Sequence, residues 1–161
     1  ENGTTDEPFD TANYEVPVGT GGSNGLNVAK LKDAVRRLML ANKGELMEPV
    51  YAAITSKEHD QLLNEVQIAS KDYNSAPVLV DGMVRRFMGI NFIITELVPA
   101  SGGQRKIPVW VPSGMHLGIW EDVVTRISER PDKGHLIQVY LRMTIGATRL
   151  EQGKVESIVT A

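Results

Sequence analysis

The fold is decided by one long alternating stretch, Ile137-Gln138-Val139-Tyr140-Leu141-Arg142-Met143-Thr144-Ile145. Apolar side chains occupy every second position, and alternate positions of a β-strand face the same side of a sheet. The stretch therefore predicts a strand with one wholly apolar face. At ~3.3 Å per residue it would reach roughly 30 Å or more, which is longer than most strands.

Shorter stretches rich in β-forming residues flank this strand and predict a mostly antiparallel sheet. A hairpin is expected where 78–80 and 83–87 meet at Asp81-Gly82. Pro108 and Pro112 lack a backbone donor, so a strand over 107–111 is expected at a sheet edge. Further strands are predicted at 50–54, 91–98, 115–120, 123–128 and 155–159.

Two helices are predicted before the main run of strands, which makes the fold class α+β. The first spans about Val28 to Asn42, with Asn27 as its N-cap and Gly44 as its stop. The second begins at the capping box Thr55-Ser56-Lys57-Glu58 and fades by about residue 70. Helical spacing is shown by the apolar stripe Val28, Leu31, Val35 and Leu38.

Composition bounds the class of protein. The 161 residues fit one domain, and 42% hydrophobic with 23% charged residues is typical of a globular chain. The absence of Cys excludes disulfides, thiolate metal sites and cysteine nucleophiles. The net charge of −3 shows no basic excess of the kind that nucleic-acid binders carry. No apolar stretch approaches the ~20 residues of a membrane helix.

Residues 1–25 form a polar, glycine-rich lead, which predicts a flexible linker. It is interrupted only by a short strand over 14–18, which Pro17 confines to a sheet edge. The sequence begins with Glu1 rather than Met, and we expect a fragment of a longer protein. A glycine-rich loop before a helix also suits phosphate binding. The loop Gly19–Gly25 has Asn24 at the third glycine position of the dinucleotide pattern, so the linker interpretation is favoured and a phosphate- or nucleotide-binding loop is the alternative.

No catalytic, cofactor-binding or metal site is predicted. His59, His116 and His135 are too far apart in sequence to suggest a ligand set. Ser113 lacks the flanking glycine pattern of a nucleophile elbow and is interpreted as part of a turn.

The arrangement of other polar and aromatic residues favours ion pairing and packing roles over catalytic ones. Glu121-Asp122 and Glu129 lie near Arg126 and Arg130, which favours surface ion pairs over an acid–base pair. The two tryptophans are interpreted as core or subunit-contact residues, at positions Trp110 and Trp120.

A basic face is predicted on the first helix, formed by Lys30, Lys32, Arg36 and Arg37. A solvated helix face is the favoured interpretation. Contact with a polyanion or with an acidic partner surface is the alternative.

Three stretches, in this order, give a family resemblance: residues 26–42 with 48–58, residues 84–99, and residues 145–149 with 153–159. Together they resemble the major capsid (coat) proteins of tailed bacteriophages, the family with the Hong-Kong-type shell fold. Residues 130–151 are most similar to coat proteins of podovirus-type phages and prophages.

The resemblance implies a division of the chain. It implies a peripheral-domain spine helix at 26–43, an axial domain at about 46–134, and C-terminal strands at 135–161. The family's N-terminal arm and extended loop are not recognised, so the chain is interpreted as a truncated coat protein.

The resemblance also implies a function. The chain is expected to be a non-enzymatic shell subunit without cofactors, which self-assembles through its edges into capsomers around packaged DNA. Its implied partners are other copies, a scaffolding protein and DNA, with the basic face towards DNA; no membrane is implied. The implied location is the virion, after synthesis in the bacterial cytoplasm. A phosphate-binding domain and a phage adaptor or decoration protein are the alternatives.

Overall fold

The structure, a computed structural model, describes residues 8–42, 48–65 and 83–161. Its helices are α1 (Thr11–Tyr14), α2 (Val28–Ala41) and α3 (Ser56–Leu63). Its strands are β1 (Glu15–Val16), β2 (Val50–Ile54), β3 (Arg86–Phe87), β4 (Ile90–Ile94), β5 (Ala100–Ser101), β6 (Gln104–Trp110), β7 (Met115–Arg130), β8 (Leu136–Arg149) and β9 (Val155–Thr160). The predicted hairpin at Asp81-Gly82 and the helix stop at Gly44 lie outside the described residues.

The strands form two separate sheets, and the α+β class is confirmed. The main sheet has seven strands in the order β1-β9-β6-β2-β4-β3, with β5 also paired to β6. We call this sheet, with its helices, the body. The pairs β1–β9 and β2–β4 are parallel, whereas the other pairs of the main sheet are antiparallel. Strands β7 and β8 pair only with each other among the described strands, and we call them the ribbon.

Helix α2 packs on the main sheet and closes the hydrophobic core of the body. Its first turn is capped by Asn27, whose side-chain oxygen accepts a hydrogen bond from the Lys30 amide at 2.8 Å. The predicted apolar stripe packs into the core, where Leu31 and Leu38 are fully buried. The core also contains Val50, Ala52, Ile54, Ile90, Ile107, Val109 and Ile158 from the sheet. The helix prediction is therefore confirmed to within a residue at its C-terminus.

Helix α3 begins with the predicted capping box. The Glu58 carboxylate accepts hydrogen bonds from the Thr55 amide at 3.2 Å and from the Thr55 hydroxyl. It also accepts one from Thr160 of β9 at 3.2 Å, and Arg105 of β6 lies 3.6 Å away. Glu58 thus joins α3 to two strands of the body. The helix ends at Leu63, before the predicted end near residue 70.

Strand β6 lies inside the sheet, so its predicted edge position is wrong. It pairs with β9 along one side, including Pro108 opposite Ser157. On its other side, Val109 and Trp110 pair with β2, whereas Gln104 and Arg105 pair with β5. Among the described pairs, residues 106–108 have no partner on that second side. Pro108 therefore occupies a break in the pairing, where its missing donor is tolerated.

Residues 8–25 belong to the body, which corrects the prediction of a flexible linker for this part of the lead. Strand β1 pairs with β9, and Val16 is fully buried in the core. The Glu15 carboxylate accepts hydrogen bonds from Lys106 at 2.6 Å and from Ser157 at 3.3 Å. Two residues of strand and one buried side chain hold the segment although its composition is polar.

Candidate assembly surface

The ribbon is a long antiparallel pair that makes few contacts with the body. Strand β7 has 16 residues and β8 has 14, and the register shifts twice, between Ile119 and Glu121 and between Glu121 and Val124. Each shift adds one residue to β7, which accounts for the difference in length. Bulges of this kind bend a strand and increase its twist. The sequence-predicted strands 115–120 and 123–128 are therefore one bulged strand.

One face of the ribbon is apolar and uncovered. The register places Ile119 opposite Ile145, Ile127 opposite Val139, and Leu117 opposite Ala147. Directly opposite residues share a face, so the apolar side chains of β8 meet mainly apolar partners, with Thr125 opposite Leu141 and Glu129 opposite Ile137 as the polar exceptions. The exposed fractions range from 46% for Met143 to 76% for Ile137. The apolar face comprises Leu117, Ile119, Ile127, Ile137, Val139, Leu141, Met143 and Ile145.

The other face of the ribbon is polar. Gln138 lies opposite Ser128, and Arg126 lies opposite Tyr140. Arg142 donates to Glu121 at 2.5 Å. The predicted surface ion pairing of Glu121 is confirmed, but its partner is Arg142 of the opposite strand. A polar face and an apolar face on one two-stranded sheet mean that one side is suited to water and the other to packing.

The tip of the ribbon is fixed by local polar contacts. Arg130 donates to Asp132 at 2.6 Å, and His135 lies 2.8 Å from Glu129. The hydrogen bond from Arg130 holds the pKa of Asp132 below its ordinary value. Gly134 and His135 both have positive φ angles, which complete the reversal after residues 131–133.

The base of the ribbon contains the predicted Ser113 turn. Residues 112–114 form one turn of 3₁₀ helix between β6 and β7. The Ser113 amide donates to Glu48 at 3.1 Å, and a side chain at Gly114 would collide with Lys154. The close approach at Gly114 explains the glycine there, and the turn interpretation of Ser113 is confirmed.

The four residues of the predicted basic face do not share one face. Lys30 is fully buried, and its ammonium donates to the carbonyls of Asn24 at 2.9 Å and Val159 at 3.0 Å. Burial lowers the pKa of Lys30. Arg36 and Arg37 both pair with Asp33. Lys32 and Arg36 are exposed on the outer side of α2, so the accessible basic surface is smaller than predicted.

The Gly19–Gly25 loop packs against the N-terminal end of α2. The N-terminus of α2 is capped by Asn27, whose amide group also donates to the Thr20 carbonyl at 3.0 Å. A side chain at Gly21 would collide with Ala29 and Asn27, and Gly21 has a φ of 75°. The loop therefore packs on the helix end at the place where a phosphate would bind, and phosphate binding is not favoured.

The histidines and tryptophans are dispersed. His59 accepts a hydrogen bond from the Val84 amide at 3.0 Å, whereas His116 lies in β7 and His135 at the ribbon tip. Within the described residues, no group of His, Asp or Glu could hold a metal ion. Trp110 stacks on Tyr51 in the body at 6.0 Å, whereas Trp120 beside the first bulge is 91% exposed.

Sequence reasoning missed two features of this arrangement. The apolar alternation of β8 was recognised, but not that its apolar side is uncovered; the unusual length of the run is the signal for a strand that leaves the body. Glu156 was also missed, although it stands in β9 among apolar and small residues, where a lone carboxylate is unexpected.

No helix within the described ranges is long and apolar enough to span a bilayer.

Solved structures of phage and phage-like shells have this fold. A chain of Mycobacterium phage Che8 matches with a TM-score of 0.66 and 11% identity, over 80% of this chain and 46% of that one. The capsid of cyanophage P-SCSP1u matches with a TM-score of 0.66 and 15% identity, over 81% and 45%. The capsid of an empty GTA particle matches with a TM-score of 0.62 and 18% identity, over 92% and 54%. The chain thus spans about half the length of these structures.

The fold is accordingly that of the tailed-phage capsid proteins, which are structural components of shells. A sequence profile described as "Phage capsid protein" matches residues 1–160, so the chain belongs to the phage capsid protein family. No curated protein matches the chain. The resemblance inferred from three short stretches is confirmed, whereas the division into peripheral and axial domains stays a prediction.

Proposed function

We propose that this chain is a shell-forming part of a phage coat subunit and that the ribbon is its main contact with other copies. Its role is structural, and its place is the virion. The observation that carries the proposal is the uncovered apolar face. An isolated two-stranded sheet is at best marginally stable in water, so a ribbon of this length needs a packing partner.

The size of the apolar face supports a second copy as that partner. Eight apolar side chains are each about half exposed or more. They follow both strands along the ribbon, and a standard interface takes ~800 Å² from each partner. Exposed apolar patches of this size on soluble proteins mark interaction sites.

Photo-cross-linking tests which molecule covers the ribbon. Because the chain has no Cys, Leu141→Cys provides a unique attachment point for a thiol-linked photo-cross-linker on the apolar face. Thr144→Cys is the matched control, three residues away on the polar face. After illumination of assembled particles, we expect covalent dimers from the first variant and mainly monomers from the second.

Two outcomes would contradict the proposal. If the Leu141→Cys particles yield only monomers, the face is covered by the same chain and is not a contact between copies. If both variants yield dimers equally, copies are merely close together and the apolar face has no special part in assembly.

Contact with packaged DNA is a second, narrower proposal, supported by the exposure of Lys32 and Arg36. Non-specific binding to DNA depends on such cations and weakens with salt. Changing both residues to Gln is expected to impair genome retention in otherwise normal shells, measured as DNA per particle. Normal retention by the double variant would refute it. Lys30 is left unchanged because its role in the core would confuse the result.

A further inference from the structure

Glu156 is a buried carboxylate without a partner. It lies in β9, the second strand from the β1 edge of the main sheet, opposite Val109 of β6, and its side chain is fully buried. Within the described residues, neither carboxylate oxygen has a hydrogen-bond partner. Burying an unpaired charge is costly, so the group favours its neutral form, and burial raises the pKa of Glu156 to about 7.

A cavity of ≈430 Å³ adjoins Glu156 and is lined by residues of α1, α2 and β9. Asn13, Tyr14, Arg36, Arg37 and Leu40 line the same cavity. The space is large enough for a guanidinium group to move within it. Glu156 therefore faces room that an oppositely charged side chain can enter.

Arg37 is the side chain placed to enter that cavity. Its guanidinium donates to Asp33 at 2.9 Å and to the backbone carbonyl of Asn13 at 3.1 Å. The second bond joins α2 to α1. The positive charge of Arg37 already acts against the burial effect on the pKa of Glu156, whereas Asp33 adds to it.

The other charged and titratable groups around Glu156 have partners of their own or carry no opposite charge. Arg36 of α2 also lines the cavity, but it is largely exposed and paired with Asp33 at 2.7 Å. Tyr14, at the end of α1, lines the cavity with its phenol ring. Lys106 of β6 pairs with Glu15 of β1 at 2.6 Å. Of these cations, Arg37 is the one whose charge acts on Glu156.

We propose that Glu156 and Arg37 form a proton-controlled latch on α1. With Glu156 protonated, Arg37 stays on Asp33 and on the Asn13 carbonyl, and α1 is held against α2. When Glu156 gives its proton to solvent, its carboxylate draws the guanidinium into the cavity. Arg37 then leaves the Asn13 carbonyl, and α1 is released while the rest of the body stays folded.

Hydrogen–deuterium exchange tests the latch. Exchange of the segment 8–16 is measured at pH 6 and pH 8 in the unmodified chain and in Glu156→Gln, which cannot ionise. The ratio between the two proteins at each pH removes the intrinsic effect of pH on exchange. We expect a ratio near one at pH 6 and about tenfold faster exchange of the unmodified chain at pH 8, because one charge-assisted hydrogen bond is lost.

A reference segment and two arginine variants complete the test. Residues 90–94 should show a ratio near one at both pH values. Arg37→Gln should give fast exchange of 8–16 at both pH values, whereas the matched Arg36→Gln should behave as the unmodified chain does.

The proposal is overturned if the ratio for 8–16 does not change with pH, or if 90–94 accelerates equally, which indicates general unfolding. It is also overturned if Arg37→Gln keeps the pH response of the unmodified chain. If Glu156→Gln does not fold, the comparison of Arg37→Gln with the unmodified chain is sufficient to test the proposal.

Discussion

The body and the ribbon use similar apolar residues in opposite ways. In the body, Leu31 and Ile158 are fully buried between α2 and the sheet, whereas Leu141 and Ile137 on the ribbon are 63% and 76% exposed. In both regions the apolar residues recur regularly, every three or four residues in the helix and every second residue in the strand. The difference shows that periodicity identifies which face of an element must be covered, while it leaves open whether the cover comes from the same chain.

The sharpest test compares two leucines. Leu31→Ala should lower the free energy of unfolding by about 2–5 kcal/mol, because it leaves a cavity in the core. Leu141→Ala should cost less than about 1 kcal/mol in the unassembled chain, because the side chain is already mostly in water. Chemical denaturation of both variants measures the difference. Equal losses would show that the apolar face is covered within the isolated chain.

The same comparison between body and ribbon can be made for two charged residues, Glu58 and Glu121. Glu58→Gln should cost about 2 kcal/mol, because Thr55, Thr160 and Arg105 lose a buried charged partner. Glu121→Gln on the ribbon should cost less than about 1 kcal/mol, since its pair with Arg142 is partly exposed. Thermal or urea unfolding at neutral pH measures both values. A larger loss at Glu121 would mean that the ribbon depends on its ion pair.

Glu58 also predicts a dependence on acid. Burial alone would raise the pKa of Glu58, but hydrogen bonds from Thr55 and Thr160 outweigh it and hold the pKa below the ordinary value of 4.5. The stabilisation is therefore present above pH 4.5 and is lost as pH falls through the lowered pKa. Denaturation below pH 4.5 should bring Glu58→Gln closer to the unmodified chain. A constant gap down to strongly acidic pH would contradict this.

Glu156 predicts the reverse dependence. Its pKa rises from 4.5 to about 7 on folding, so its contribution is fully present below pH 4.5 and is lost as pH rises through 7. Glu156→Gln should exceed the unmodified chain in stability by about 2 kcal/mol at pH 8, a value reduced from the full linkage because the adjoining cavity admits water. Urea midpoints at pH 5 and pH 8 give the change, and a gap that does not widen would show that Glu156 has another partner.

The smallest effect is expected on the surface of α2. Arg36→Gln should change the stability by less than about 0.5 kcal/mol, because Arg36 is 66% exposed and Asp33 keeps Arg37. Thermal unfolding in low salt provides the measurement. A loss as large as that of Glu58→Gln would indicate that the outer side of α2 is packed.

The sequence predicted those elements whose signal is local. Helix α2 has its stripe and its Asn27 cap, and α3 has the Thr55–Glu58 capping box, so both were found. Strand β6 was misplaced because Pro108 suggests an edge, while the break between β2 and β5 that accommodates it depends on distant residues. The basic face was only partly predicted, since the carbonyls that hold Lys30 belong to Asn24 and Val159.

The position of β9 has a consequence for synthesis. Ser157 of β9 is separated from Glu15 by 142 positions, yet β9 lies between β1 and β6 and completes the sheet. During translation β1 thus waits for β9, which follows the other described strands in sequence, and contacts so distant in sequence are slow to form. The ribbon, whose two strands are neighbours in sequence, can pair earlier. Its apolar face is then exposed before the main sheet of the nascent chain is complete. Premature association of the growing polypeptide must therefore be prevented by the order of folding as well as by binding affinity.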